Sequence, residues 1–196
     1  MRTKLASLCT ALGVLLLLAA AGLWAWNQRE ARLAGEAADE LLPQLVEELA
    51  QRQEETADTL PDPYAAEMPT VEVEGYDCIG FLRFPTLGME LPVLAQWDYA
   101  RLKIAPCRYT GAVGTDDLVV AGHNYTRHFG RLSRLQEGDE VTFTDAVGVT
   151  TVYAVTAKDV LPPTAIEEMT GGEYDLTLFT CTYGGENRVT IRCDRK

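Results

Sequence analysis

The chain has 196 residues and a formal net charge of −12, which allows one domain with appendages and argues against a nucleic-acid partner, whose backbone demands a basic face. Hydrophobic residues make up 47% of the sequence, enough for a packed core. The charge is uneven: residues 30–75 hold 13 acidic against 2 basic side chains, the first 29 residues are +3, and residues 76–196 are −4, which predicts a solvated stalk joined to a folded domain.

Arg2 and Lys4 precede an uncharged apolar run over residues 5–26. As a helix this run is about 33 Å long, enough to cross a bilayer core. Trp24 and Trp26 end it, where amphipathic rings prefer the membrane interface. Positive charge before the run and acidic residues after it predict a cytoplasmic N-terminus, with the remainder outside. A cleaved signal peptide is the alternative, since Ala19-Ala20-Ala21 offers small residues for processing. The continuation through Leu23-Trp24-Ala25-Trp26 favours a retained anchor.

Residues 30–53 are rich in Ala, Leu and Glu, with Leu41, Leu45, Val46 and Leu49 at helical spacing. Pro43 predicts a kink or a split into two short helices. The stripe suits packing on the domain or on another copy, and a partly helical spacer is the plainer expectation. Residues 56–69 carry Pro61, Pro63 and Pro69 among acidic residues and read as an extended linker.

From Val71 the period becomes that of strands. Residues 79–84 end at Pro85, 89–94 follow a turn with Gly88, and 118–121 form a buried-type strand leading into Gly122-His123-Asn124. Residues 140–144 and 149–155 read as a hairpin. Short helical turns are expected near 97–104, 128–135 and 166–169. Residues 175–181 and 188–193 form a last hairpin around Gly184-Gly185. About eight short strands in roughly 120 residues predict a closed barrel or a sandwich.

None of the five cysteines, Cys9, Cys78, Cys107, Cys181 and Cys193, has the close spacing of a zinc site or a CxxC redox pair. Cys193 shares a strand face with Val189 and Ile191 and reads as an inert buried thiol. One disulfide among Cys78, Cys107 and Cys193 is conceivable but not expected. Glu137, Asp139 and Glu140 read as a solvated turn rather than a calcium site. No metal and no cofactor are expected.

The final hairpin holds the chemistry. Cys181 ends one strand and Arg188 opens the next, so the turn brings a thiol beside a permanent cation. His123 stands at another strand end, whereas His128 reads as a structural residue on a helical or loop surface. A cysteine nucleophile needs a proton carrier and a donor for the developing oxyanion, and His123 and Arg188 are of those types. Residue types alone leave open a structural thiol, a capped surface histidine and a solvated strand-edge arginine.

Thr177-Leu178-Phe179-Thr180-Cys181, followed by Arg188-Val189-Thr190-Ile191, resembles the signature of sortases, the cysteine transpeptidases of Gram-positive cell surfaces. Ala121-Gly122-His123-Asn124 is similar to that family's histidine motif. The resemblance spans residues 76–196. It implies a mostly β fold, an eight-stranded sortase-type barrel with short helices, in which Cys181, His123 and Arg188 converge on a groove. The barrel (76–196) would follow a cytoplasmic tip and membrane anchor (1–28) and an acidic, partly helical linker (29–75). It also implies a mechanism. Cys181 attacks a Thr-Gly-like bond in a C-terminal LPxTG-like sorting signal of a surface protein, and His123 transfers protons. Arg188 donates to the substrate and the oxyanion, helped by a backbone N–H near Thr182. An amine on a cell-wall precursor or a pilin lysine then resolves the thioester. Thr180 either supports the loop or touches substrate, and its parity favours the former. Rival readings are a secreted cysteine peptidase that only hydrolyses and a non-catalytic, membrane-tethered barrel module. A late cysteine that ends a strand speaks against papain-like enzymes.

Overall fold

The computed structural model describes residues 2–55, 67–171 and 173–196. Most of the linker expected over 56–69 lies outside the described residues. The first described stretch is a single helix, α1 (Arg2–Glu55). Its first half leaves Leu8, Leu12, Leu15, Leu16 and Leu17 exposed, a face that a water-soluble helix would bury.

Pro43 neither splits nor ends this helix, contrary to the expectation. A proline in a helix interior loses one hydrogen bond and crowds the preceding turn, at about 3 kcal/mol. Leu41, Leu45 and Leu49 are all nearly fully buried on the barrel. Each such leucine contributes about 1.5–3 kcal/mol, so burial of the stripe outweighs the proline. The stripe therefore packs on the domain, where Ala34 and Ala38 extend it.

Nine strands follow among the described residues: β1 (Val71–Val73), β2 (Tyr76–Phe84), β3 (Met89–Leu94), β4 (Cys107–Thr110), β5 (Leu118–Ala121), β6 (Glu140–Asp145), β7 (Thr150–Leu161), β8 (Leu176–Cys181) and β9 (Arg188–Arg195). Eight of them close on themselves in the order β2-β3-β4-β5-β8-β9-β7-β6, with β6 returning to β2. This is the expected closed barrel. The ninth, β1, extends the edge of β2, Val71 lying opposite Cys78. The β3–β4 and β5–β8 pairs are parallel and the rest antiparallel.

No periodic pattern in the sequence announces strand β4: it is short, follows Pro106, and pairs with β3 only through Leu94 and Cys107. The expected helical turns are a 3-10 turn at Arg101–Lys103, a 3-10 run at Phe129–Arg134 and a short helix, α2 (Ile166–Thr170).

Alternation along the strands produces two apolar clusters. One fills the barrel, with Leu82, Phe84, Phe129, Tyr153, Leu178 and Ile191 at its centre. The other lies between barrel and α1, where Leu41, Leu45 and Leu49 meet Val71, Cys78, Leu94, Leu102 and Cys107. Cys78, Cys107 and Cys193 are free thiols in these clusters, and burial pushes the pKa of each up to about 12. None of the three forms a bridge.

Candidate active site

The β8–β9 hairpin sets the first part of the site. Cys181 is the last residue of β8 and stands directly opposite Arg188, the first of β9. The turn between them is tightly bonded. The Thr182 N–H donates to Asn187 O at 2.8 Å, and the Asn187 N–H donates to Thr182 Oγ1 at 3.1 Å. Gly184 and Gly185 take φ of +97° and +83°, which other residues rarely adopt. Arg188 Nη1 donates to the carbonyls of Gly185 and Asn187, both at 3.1 Å, so the guanidinium is braced while other donors remain. Cys181 is half-buried.

The second part comes from β5. Its parallel pairing with β8 sets Ala121 opposite Phe179, and the Gly122 N–H donates to Phe179 O at 3.1 Å. His123 therefore emerges beside the end of β8. A Cβ on Gly122 would stand 2.6 Å from the Phe129 ring, so only glycine allows this approach. Asn124 Nδ2 donates to Thr182 O at 3.2 Å and ties the histidine segment to the cysteine turn.

The His123 ring lies 4.7 Å from that of Tyr125, and its Nε2 is buried with no partner among the described residues. Burial lowers its pKa from 6.5, and the Lys103 ammonium lowers it further, partly offset by Glu30. Lys103 and Glu30 form an ion pair at 3.1 Å, so a residue of α1 takes part in the electrostatics of the imidazole.

His123, Cys181 and Arg188 line one groove, with a cavity of about 190 Å³. Its wall is aromatic: Trp97 lies over Tyr109 at 5.2 Å, and Phe179 meets Tyr109 edge-on at 5.3 Å. Ile166 and Met169 of α2 line it as well. A larger cavity of about 480 Å³ lies behind α2, bounded by Asp159, Glu167, Glu168, Glu173 and Arg192. Its lining is charged and holds no His or Cys, whereas the smaller groove holds one of each.

Thr180 is buried, and its Oγ1 finds no partner among the described residues, while the residue lines the groove. The Thr182 N–H is engaged by Asn187 O, so reaching an oxyanion would require the turn to release it. His128 is not on a surface. It is fully buried, with Nε2 3.1 Å from Ala34 O, and it fastens the barrel to α1. Among the described residues no group of His, Cys, Asp and Glu gathers to hold a metal.

Sequence reasoning missed Arg192. It is almost fully buried, and its guanidinium donates to Thr177 Oγ1 at 3.1 Å, to Met169 O at 3.2 Å, to Glu168 O and to Asp159 at 3.3 Å. It thereby pins α2 to the strands that carry Cys181 and Arg188. Its strand face, shared with Arg188 and Thr190, was legible; its burial under α2 was not.

The sortase-domain family model matches residues 82–196. Among solved structures, a Clostridium perfringens sortase D5 transpeptidase is similar at TM-score 0.62 and 17% identity, covering 82% of this chain and 99% of that one. Sortase A from Corynebacterium diphtheriae is similar at TM-score 0.57 and 21% identity, covering 86% and 93%. Streptococcus pneumoniae sortase C is similar at TM-score 0.55 and 20% identity, covering 79% and 89%. At such identities these neighbours speak for the fold alone. No curated protein matches the chain. The family model spans more than half of the sequence, including His123, Cys181 and Arg188 of the groove, and the chain belongs to the sortase family.

Proposed function

We propose that this protein is a membrane-anchored cysteine transpeptidase that cleaves a C-terminal LPxTG-like sorting signal and passes the acyl group to an amine. The observation that carries the reading is the meeting of Cys181, His123 and Arg188 in one aromatic-walled groove. Thiol, imidazole and guanidinium are the nucleophile, proton carrier and oxyanion donor that acyl transfer requires.

Cys181 Sγ attacks the carbonyl carbon of the Thr-Gly-like bond, and its proton passes to His123. Charge moves onto the carbonyl oxygen, to which Arg188 donates. The C–N bond then breaks, His123 protonates the leaving amine, and a thioester remains on Cys181. An incoming amine attacks that thioester, His123 takes its proton, the C–S bond breaks, and His123 passes the proton to the departing sulfur, which restores the thiol and the neutral imidazole. The product is an amide on a cell-wall precursor or a pilin lysine. Thr180 and Thr182 support the site, the first beneath the groove and the second by closing the turn that carries Asn124's bond.

The domain assignment follows the same reading: residues 1–28 as cytoplasmic tip and span, 29–75 as connector, and 76–196 as the catalytic barrel outside the cell. The long apolar first half of α1 supports the anchor.

The test is incubation of the full chain, in detergent, with an LPxTG-like peptide and a primary amine, followed by mass spectrometry. The expected result is a new amide, with a transient thioester at Cys181 when the amine is withheld. Cleavage by water alone in the presence of amine would make the protein a peptidase. No adduct at Cys181 with any member of a peptide library would make it an inert module.

A further inference from the structure

We infer that the aromatic lip of the catalytic groove, Trp97 with Tyr99, sits in the headgroup layer of the bilayer that α1 spans, so that the groove opens at the membrane surface. The inference rests on the membrane-anchor reading above.

Because α1 is one unbroken helix, its residues measure height above the membrane. The apolar run ends at Trp26, a residue type that marks the interface. Glu30 lies four residues further, about 6 Å along the axis. At that level it holds Lys103 at 3.1 Å and interacts with Tyr125, the neighbour of His123. Ala34 then meets His128, and Asp39 meets Arg127. Arg52, about 39 Å above Trp26, reaches Thr70 O just before β1. The barrel is thus laid against α1 with its catalytic flank lowest and its β1 flank highest. The headgroup layer is about 5–7 Å deep on each side of the hydrocarbon, so the Lys103 level falls at its outer edge.

Trp97 and Tyr99 lie in the segment that leads directly into the Lys103 turn of that flank. Asp98 between them accepts the N–H groups of Ala100 and Arg101 at 2.8 and 2.7 Å and so ties this segment to the turn that carries Lys103. Trp97 lines the groove with His123 and Cys181, yet remains 42% exposed, and Tyr99 is 77% exposed. Indole and phenol rings held out at headgroup level are what an interface takes up, apolar body inward and polar tip toward water. Charge is not the attraction here: Lys103 is paired with Glu30, and Arg101 with Asp98. A zwitterionic surface is therefore sufficient.

The chain has three tryptophans, which makes the test direct. The full chain with Trp24→Phe and Trp26→Phe keeps only Trp97, and the full chain with Trp24→Phe and Trp97→Phe keeps only Trp26. Each is reconstituted in phosphatidylcholine vesicles, with and without bromine on the acyl chains near the headgroup. The inference expects bromine to reduce emission from both proteins, Trp97 by about twofold or more. Quenching of Trp26 with no change at Trp97 would overturn the inference and leave the anchor standing. No quenching at Trp26 would overturn the anchor itself, and the inference with it.

Discussion

Cys181 and Arg188 face each other as a directly opposed pair across the last two strands, with six turn residues between them in sequence. The braced guanidinium beside the thiol gives the pair a fixed geometry that a flexible cation would not reproduce. Arg188→Lys keeps the charge but loses the planar fork, and kcat/KM for peptide transfer is expected to fall by about 10²–10³-fold. Thermal unfolding should be nearly unchanged. Cys181→Ala should abolish thioester formation, read by mass.

The imidazole of His123 is tuned by a pair that spans helix and barrel. Burial lowers its pKa, Lys103 lowers it further, and Glu30 opposes Lys103. Lys103→Met is expected to raise the His123 pKa and Glu30→Gln to lower it, with the double substitution near the parent. Titration of the His123 ring resonance by NMR reads this directly; equal shifts of one sign from both single variants would refute it.

His128 makes the docking of α1 sensitive to acid. Burial pulls its pKa down to about 4 from 6.5, with partial compensation from the Ala34 carbonyl. The unfolded chain takes up the proton at the ordinary value, so this contribution is complete above 6.5 and is lost as pH falls toward 4. It amounts to at most about 3 kcal/mol. His128→Gln, which can still donate to Ala34 O, should flatten the dependence of the unfolding midpoint on pH within that window.

Arg192 connects a buried charge to the groove wall. Removing it as Arg192→Ala strands the acceptors it serves and is expected to cost about 3–5 kcal/mol of stability. Arg192→Lys retains charge but cannot serve the carbonyls of Glu168 and Met169 and the Thr177 hydroxyl from one plane. Its KM for peptide should rise more than its kcat falls, because Ile166 and Met169 line the groove rather than act on the scissile bond.

Gly122 is a steric requirement. In Gly122→Ala the new methyl meets the Phe129 ring, an overpacking that costs about 1–3 kcal/mol. Relief by moving β5's end would shift His123, so activity should fall further than stability alone explains. Restoration of activity by Phe129→Leu in the same chain would support this cause; a Gly122→Ala protein with full activity would exclude it.

Much of this protein was legible locally. Period-two alternation marked most of the strands, the length and apolarity of residues 5–26 marked the exposed first half of α1, and the Thr-Leu-Phe-Thr-Cys and Ala-Gly-His-Asn segments pointed to the family. The strand ends at or beside Cys181, Arg188 and His123 were visible because turn residues adjoin them. Local patterns have no access to what a residue meets from a distant part of the chain. Pro43 reads as a breaker until Leu41, Leu45 and Leu49 are seen buried against the barrel. His128 reads as surface until Ala34 covers it, and nothing near Arg192 in sequence announces that α2 folds over it. Strand β4 has too few residues to show a period and exists through its neighbours. Tertiary structure alone decided these, because burial, and with it the energy of a proline, a neutral imidazole or an enclosed cation, depends on contacts between residues far apart in sequence.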